Sequence, residues 1–79
     1  MYQKQQSRDT EVMFEITKHI GTISVSPSGW RKELNIVRWN EGNEKYDIRD
    51  WDETHTKLSR GITLRQDELE TLKAILAEL

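Results

Sequence analysis

The most distinctive side chains of this sequence are three tryptophans, each accompanied by cations at neighbouring positions. These groups are Trp30 with Arg31 and Lys32, Trp39 with Arg38, and Trp51 with Lys45 and Arg49. Unpaired nucleic-acid bases stack on aromatic rings while lysine and arginine neutralise the phosphates, and neither contact requires a particular base sequence. A lone tryptophan at a strand end is more often a packing residue. Three tryptophans with adjacent cations favour a surface that binds a single nucleic-acid strand.

The same sequence offers little that could support catalysis or hold a metal ion. His19 and His55 are the only histidines, and neither has a second ligand at the spacing of a metal site. Asp47 and Asp50 point to opposite faces of any strand that contains both, so they cannot act as a pair on one substrate. The chain has no cysteine, no glycine-rich phosphate loop and no nucleophile elbow. We therefore expect no enzymatic activity, no cofactor and no metal.

Length and charge limit the size of the core and the choice of partner. With 79 residues and no cysteine for disulfides, a single core is only marginally sufficient, and such chains often gain burial by oligomerising. The net charge of −2 argues weakly against nucleic acid, but residues 66–79 hold four carboxylates and one cation, and the rest is nearly balanced. No segment resembles a signal peptide or a membrane span. We expect a cytoplasmic protein without a membrane partner, nucleoid-associated if it is bacterial.

The hydrophobic pattern predicts one α+β domain over residues 12–79, preceded by a flexible tail over residues 1–11. Alternation of apolar and polar residues starts a long strand, and a change of phase at Gly21 predicts a bulge or bend within it. Residues 26–29 form a predicted turn whose glycine takes positive φ. The further predicted strands cover residues 30–39, 45–51 and 61–64. Together they form an antiparallel meander of four strands.

The last segment follows a helical period instead. Its apolar residues recur at spacings of three and four: Leu69, Leu72, Leu76 and Leu79, with Ile75 beside them. Such a stripe covers the sheet of its own chain, and in so small a protein it can also pack against a second copy. The second interpretation predicts a homodimer with Leu69, Leu72 and Leu76 in its interface.

Strand alternation also predicts which side chains face the core. The residues assigned to the core face are Leu34 and Ile36 on one strand and Tyr46 and Ile48 on the next. Trp39 then lies on the opposite face, together with Asn35 and Val37. Trp51 is expected to lie outward on that solvent-facing side, where its ring would serve as a stacking surface.

Four motifs follow one another in the order found in a known family. They are FEITK (14–18), LNIVRW (34–39), KYDIRDW (45–51) and SRGITLRQDELETLK (59–73). This order resembles the positive-cofactor-four transcriptional coactivator family, most of all its small bacterial, YdbC-type members, and it covers about residues 12–76. The resemblance implies a curved four-stranded antiparallel sheet followed by one helix. It also implies a homodimer formed through the helices, which binds single-stranded DNA with little sequence preference.

The resemblance gives roles to individual residues. Lys18 closes the first motif and matches a lysine that contacts the strand. Trp39 matches a stacking aromatic before a turn, and Trp51 lies in the region of the aromatic pair that follows D-I-R. Arg60 matches the basic residue before G-I-x-L, which implies a phosphate contact.

Two departures from the family pattern limit these assignments. The arm over residues 20–33 is longer than in the eukaryotic domain, so the roles of Trp30, Arg31 and Lys32 rest on their chemistry alone. Arg65 and Gln66 replace an Asn-Pro helix start, which weakens the expected N-cap.

The complete predicted contact set for nucleic acid is Lys18, Trp30, Arg31, Lys32, Arg38, Trp39, Lys45, Arg49, Trp51 and Arg60. A protein interaction module is the alternative, either as a purely structural dimer or as a peptide-binding domain. Trp30 and Trp51 have the spacing of a WW domain, but no proline follows the second tryptophan. RNA stays open beside DNA, because stacking platforms accept both. The process served, whether transcription regulation, replication or repair, also stays open.

Overall fold

The computed structural model describes the backbone of residues 4–6 and the whole of residues 13–79. Its elements are β1 (Lys4–Gln6), β2 (Met13–Val25), β3 (Arg31–Trp39), β4 (Glu44–Trp51), β5 (Leu58–Leu64) and α1 (Gln66–Ala77). The strands form one sheet in the order β1-β2-β3-β4-β5, and every neighbouring pair is antiparallel. The predicted four-stranded meander followed by one helix is confirmed as β2 to β5 and α1.

One further strand lies in the segment predicted to be a tail. The backbone of β1 pairs with β2, with Lys4 opposite Glu15 and Gln6 opposite Met13. The remaining residues of the predicted tail lie outside the described residues.

Strand β2 is longer than the strand it pairs with, and bulges take up the difference. From Phe14 to Val25, twelve residues of β2 run beside the nine of β3, with register shifts between Ile16 and Lys18, between His19 and Gly21, and between Thr22 and Ser24. The predicted irregularity at Gly21 is confirmed, and two more accompany it. Because each bulge bends a strand and increases its twist, the three together curl β2 around the sheet.

Tight turns join the strands at both ends of β3. Gly29 has φ 94°, as predicted, and its N–H donates to the Ser26 carbonyl at 2.9 Å. After β3, Asn40 and Glu41 both have positive φ, which is the backbone of a hairpin turn that matches strand twist. The Asn40 side chain accepts a hydrogen bond from the Met13 N–H at 2.9 Å and so ties this turn to β2.

The sheet is coiled so strongly that its diagonal corners meet. By the register, Phe14 lies opposite Trp39 at one end of β3, and Trp51 lies opposite Arg31 at the other end. The Phe14 and Trp51 rings are nevertheless 5.2 Å apart between centroids. The two corners therefore fold towards each other over one face. We call it the concave face; on β3 it is lined by alternate residues from Arg31 to Trp39.

The core of the chain lies on this concave face. Phe14, Val37 and Trp51 are buried, and Ile16, Trp39 and Leu58 pack against them. The prediction that Trp51 points outward is therefore wrong, although its position on the face opposite Tyr46 and Ile48 is right. Alternation identifies the two faces of a strand, but the coiling that closes one of them involves residues far apart in the sequence.

The residues predicted to form the core lie on the opposite, convex face. Neighbours across the strands there are Leu34, Ile48 and Ile62 in one row and Ile36, Tyr46 and Leu64 in the next. All but Ile62 are half-buried, and Ile62 is 53% exposed. The chain alone leaves this apolar face partly open.

Helix α1 packs against β4 and β5 without burying any of its residues. Leu69 and Leu72 are half-buried, whereas Leu76 is 53% exposed. Glu68 accepts a hydrogen bond from the Arg65 backbone N–H at 2.8 Å, which partly replaces the missing N-cap side chain. Within the described residues, no helix has the length and apolar character needed to cross a membrane.

Candidate nucleic-acid interface

Trp39 is a half-buried ring held at the rim of the concave face. It ends β3, and the Phe14 ring packs against it at 6.0 Å between centroids with the two planes 53° apart. The Arg49 guanidinium carbon lies 4.6 Å from the Trp39 centroid, which is cation–π geometry. Two side chains from neighbouring strands thus hold the half-buried indole in place.

The Arg49 guanidinium forms its hydrogen bonds within the protein. It donates two hydrogen bonds of 2.7 Å to the Asp47 carboxylate and one of 3.2 Å to the Ser59 carbonyl. The Asp47 side chain is fully buried and also accepts from the Thr63 hydroxyl at 3.1 Å, while the Arg49 side chain is 13% exposed. The D-I-R motif therefore builds a buried ion pair that supports Trp39. The sequence predicts that Arg49 contacts a phosphate, but its guanidinium has little exposed surface for such a contact.

Gly61 makes room for this pair. A Cβ atom at Gly61 would lie 2.3 Å from both the Arg49 Cβ and the Ile48 carbonyl oxygen. No side chain can be accommodated there without moving β4 or β5, so glycine is required where β5 crosses Arg49. The R-G-I-x-L motif is explained by this close approach.

Trp51 is the buried counterpart of Trp39. Its side chain has no exposed surface, with Phe14 on it at 5.2 Å and the His55 ring at 5.7 Å between centroids. His55 reaches it from the turn between β4 and β5, where its φ of 60° is unusual for a residue other than glycine. Trp51 cannot stack on a base in this structure. No local sequence pattern indicated that the turn would cover it.

The turn over residues 52–57 is tied together by Asp52. Its carboxylate accepts hydrogen bonds from the backbone N–H groups of Thr56 and Lys57 at 2.8 and 3.0 Å and from the Thr54 hydroxyl at 3.0 Å. Burial alone would raise the pKa of Asp52, but these hydrogen bonds hold it below its ordinary value of 3.8. The charged carboxylate thus helps to place His55 over Trp51.

Five of the predicted cations fall into two groups. Lys32 pairs with Asp50 at 3.3 Å, and Arg38 pairs with Glu15 at 3.0 Å and with Glu44 at 3.4 Å. Three exposed cations form no ion pair with any described residue: Lys18, Lys45 and Arg60. The first group is largely neutralised by carboxylates, and the second carries charge that no described carboxylate neutralises.

Arg31 and Trp30 lie at the start of β3. Both are half-buried, and the Arg31 Nε is a buried donor without an acceptor among the described residues. The indole N–H groups of Trp39 and Trp51 are also buried and lack acceptors there. All three of these atoms are hydrogen-bond donors, so this side of the sheet contains buried N–H groups that lack acceptors among the described residues.

A groove of about 400 Å³ opens on the concave face beside Arg31. Its lining is Ile16, Thr17, Lys18, His19, Arg31, Glu33, Asn35 and His55. Glu33 and Asn35 form its floor and are almost fully buried. Strand register brings His19 opposite Asn35, and the turn brings in His55. The sequence pattern does not indicate that the two histidines meet in this polar cluster. The available signal was that Glu33, Asn35 and Val37 lie at every second position, so the two polar side chains share a strand face with the valine.

Two comparisons with known proteins bear on this arrangement. Residues 26–75 match the family described as Transcriptional Coactivator p15 (PC4). They span β3, β4, β5 and most of α1, and so contain the Asp47–Arg49 pair, Gly61 and Trp39. A protein of Treponema pallidum (strain Nichols), described as an uncharacterized protein, is 41% identical over 63 residues, which is 80% of this chain and 74% of that protein. The chain therefore belongs to the Transcriptional Coactivator p15 (PC4) family.

Proposed function

We propose that this protein binds single-stranded DNA with little sequence preference on the concave side of its sheet. One observation carries the proposal: Trp39 is a partly exposed ring fixed by Phe14 and Arg49, with unpaired cations on the strands beside it. Lys45 lies opposite Val37, two residues from Trp39, and Lys18 follows Ile16 on the other side of β3. A base can stack on this ring while the phosphates on either side of the base contact the two cations.

The roles within the predicted contact set differ accordingly. Trp39 stacks on a base, while Lys18, Lys45 and Arg60 neutralise phosphates. Arg49 and Trp51 act indirectly: Arg49 holds the Trp39 ring in place, and Trp51 packs on the Phe14 ring that supports it. The cations already paired with carboxylates, Lys32 and Arg38, contribute less to binding.

A homodimer is part of the proposal. The chain buries only a small apolar core on the concave face, and the convex face and α1 leave apolar side chains open to solvent. A domain of 79 residues gains stability from covering such a surface. A second copy that packs through Leu69, Leu72 and Leu76 would cover it and would place two concave faces in one particle.

Family membership supports nucleic-acid binding and limits the cellular processes that we propose for the protein. A small chain of this kind fits the bacterial, YdbC-type members that the motifs resemble. We infer a cytoplasmic protein without enzymatic activity, nucleoid-associated if it is bacterial, which serves transcription regulation, replication or repair. The half-exposed convex face favours one alternative, a structural dimer or protein interaction module without a nucleic-acid ligand.

Binding of labelled oligonucleotides separates these possibilities. Fluorescence anisotropy is measured for a single strand, for the duplex of the same sequence and for a proline-rich peptide. The single strand should bind much more tightly than the duplex, whose bases offer no faces for stacking. Equal affinity for both DNA forms would leave only an electrostatic surface. Binding of the peptide alone, or of no ligand, would favour the interaction module.

A further inference from the structure

The groove beside Arg31 contains side chains to which the proposed function gives no role. Lys18 and Arg31 are accounted for as cations, but His19, His55 and the buried floor are not. Both imidazoles are accessible: the His19 side chain is 50% exposed and the His55 side chain 27% exposed. The floor is not, since the Glu33 side chain is 3% exposed. Any ligand in the groove therefore meets the two histidines and the two cations.

The floor holds both imidazoles in fixed positions. The Glu33 carboxylate accepts hydrogen bonds from His55 Nε2 at 3.0 and 3.1 Å and from the Asn35 amide at 3.0 Å. The Asn35 side-chain amide oxygen accepts a hydrogen bond from His19 Nδ1 at 2.7 Å. Each ring thus uses one nitrogen to bind the floor, and His55 Nδ1 has no hydrogen-bond partner among the described residues. His19 Nε2 has only a long contact of 3.4 Å, to the Thr22 hydroxyl.

The charge of the groove depends on these histidines. The groups that face them are Lys18 on β2, Arg31 and Glu33 on β3, and Asp47 on β4, which is paired with Arg49. Lys18, Arg31 and Glu33 sum to +1 when both histidines are neutral (two cations minus one carboxylate), and to +3 when both are protonated. Histidine is the side chain that ordinarily changes charge between about pH 5 and 8.

Donors predominate at the accessible surface of the groove. Lys18 has three N–H donors, the Arg31 guanidinium lines the groove as a second cation, and each protonated imidazole presents one more N–H. A ligand that satisfies them must supply several acceptors and negative charge. Among the parts of a nucleic acid, the phosphate group has both properties.

We propose that this groove binds a backbone phosphate of the single strand, and that His19 and His55 contact it when they are protonated. The proposal rests on the function proposed above and adds to it a second subsite, separate from Trp39. Strand affinity then increases as the pH falls, because two more positive charges meet the phosphate.

The test is the affinity for a labelled single strand between about pH 8 and pH 5.5, at several salt concentrations. Wild-type affinity should rise about tenfold towards the lower pH. The salt dependence should steepen by at most roughly 0.7 log units, because the single phosphate in the groove carries one charge. The double variant His19→Gln with His55→Gln keeps hydrogen-bonding side chains but no titratable charge, and it should lose both responses.

Two further variants separate contact from structural support. His19→Lys supplies a permanent charge from a half-exposed position, so affinity at pH 8 should rise and the pH response should shrink. Lys57→Gln removes an exposed cation from the turn outside the groove and should leave the pH response unchanged. Thermal unfolding checks that each variant is folded; if His55→Gln unfolds, His19→Gln and His19→Lys decide the question.

The proposal is overturned if wild-type affinity is the same at both pH values, or if the double variant keeps the wild-type pH response. Inorganic phosphate at constant ionic strength should weaken strand binding at the lower pH, because a site for a backbone phosphate accepts the free ion as well. Failure of the proposed function looks different, because no single strand would then bind at any pH.

Discussion

On the concave face, aromatic rings and buried charges are packed by the chain itself, whereas on the convex face isoleucine and leucine side chains remain half exposed. Trp51 and Asp47 have no exposed surface on the first face, but Ile62 is 53% exposed on the second. The nucleic-acid surface that we propose is therefore already shaped within one chain. The proposed dimer surface would be buried only when a second copy packs against it.

The two faces also differ in the chemistry that builds them. The convex face is made of apolar residues in matching rows across β3, β4 and β5. The concave face combines Phe14 and Val37 with buried polar side chains, above all Glu33, Asn35 and Asp47. Buried polar groups are tolerated when each is hydrogen-bonded, and networks of them fix a single arrangement. The concave face should therefore be the more sensitive to small changes.

The largest effect is expected at Gly61. In Gly61→Ala, the new methyl group would overlap the Arg49 Cβ and the Ile48 carbonyl, each 2.3 Å from its position. Stability should fall by about 3 kcal/mol or more, with Arg49 displaced from Trp39. Gly21→Ala is the matched control, since nothing lies within 4 Å of its Cβ position. That change should stay within about 1 kcal/mol. Thermal unfolding of both variants makes the comparison, and equal stabilities would contradict the close packing.

Two aspartates on β4 give the next comparison. Asp47→Ala removes the partner of a nearly buried arginine and should cost about 3–5 kcal/mol. Asp50→Ala breaks an ion pair with Lys32 whose side chains are 45% and 39% exposed, and it should cost at most about 1 kcal/mol. Urea unfolding gives both values. A mild effect at Asp47 would mean that the D-I-R pair does not support the concave face.

The proposed homodimer is tested through the helix. Leu72→Glu places a charge on the half-buried stripe and should dissociate the dimer or unfold the chain, because the remaining core is small. Leu79→Glu changes a residue that is 98% exposed and should leave assembly unchanged. Sedimentation at micromolar concentration measures both. A well-folded wild-type monomer in that experiment would remove the dimer from the account.

The smallest effect concerns acid stability at the turn that covers Trp51. Hydrogen bonds hold the pKa of Asp52 below 3.8 in the folded chain, so the folded state binds this proton less readily than the unfolded state. The stabilisation is complete above the unfolded pKa and is lost as the pH falls through the lower folded value. Asp52→Asn should therefore reduce stability near neutral pH slightly and flatten the decline below about pH 4. Unfolding curves at a series of acidic pH values show whether the two proteins converge.

Local patterns predicted the four strands, the helix and the bulge at Gly21, because alternation, period and glycine act over a few residues. They also placed Trp39 and Trp51 on the same side of the sheet. The burial of Trp51 could not be predicted, since it depends on a coiled sheet that joins diagonal corners and on a turn at His55. The pairing of Arg49 with Asp47 was missed for a related reason. Residues two apart on a strand share a face, but only the structure shows that they bind each other and not a ligand.

The most direct test of the account compares the two tryptophans that the sheet treats differently. Binding of single-stranded DNA and thermal stability are measured for Trp39→Ala and Trp51→Ala across a salt series. Trp39→Ala should stay folded and lose about 1–3 kcal/mol of binding free energy with little change in the salt dependence, since stacking is lost and the phosphate contacts remain. Trp51→Ala should lose about 3–5 kcal/mol of stability, because it empties the centre of the core. A folded Trp39→Ala variant with wild-type affinity would contradict the account, and the strand would then bind elsewhere.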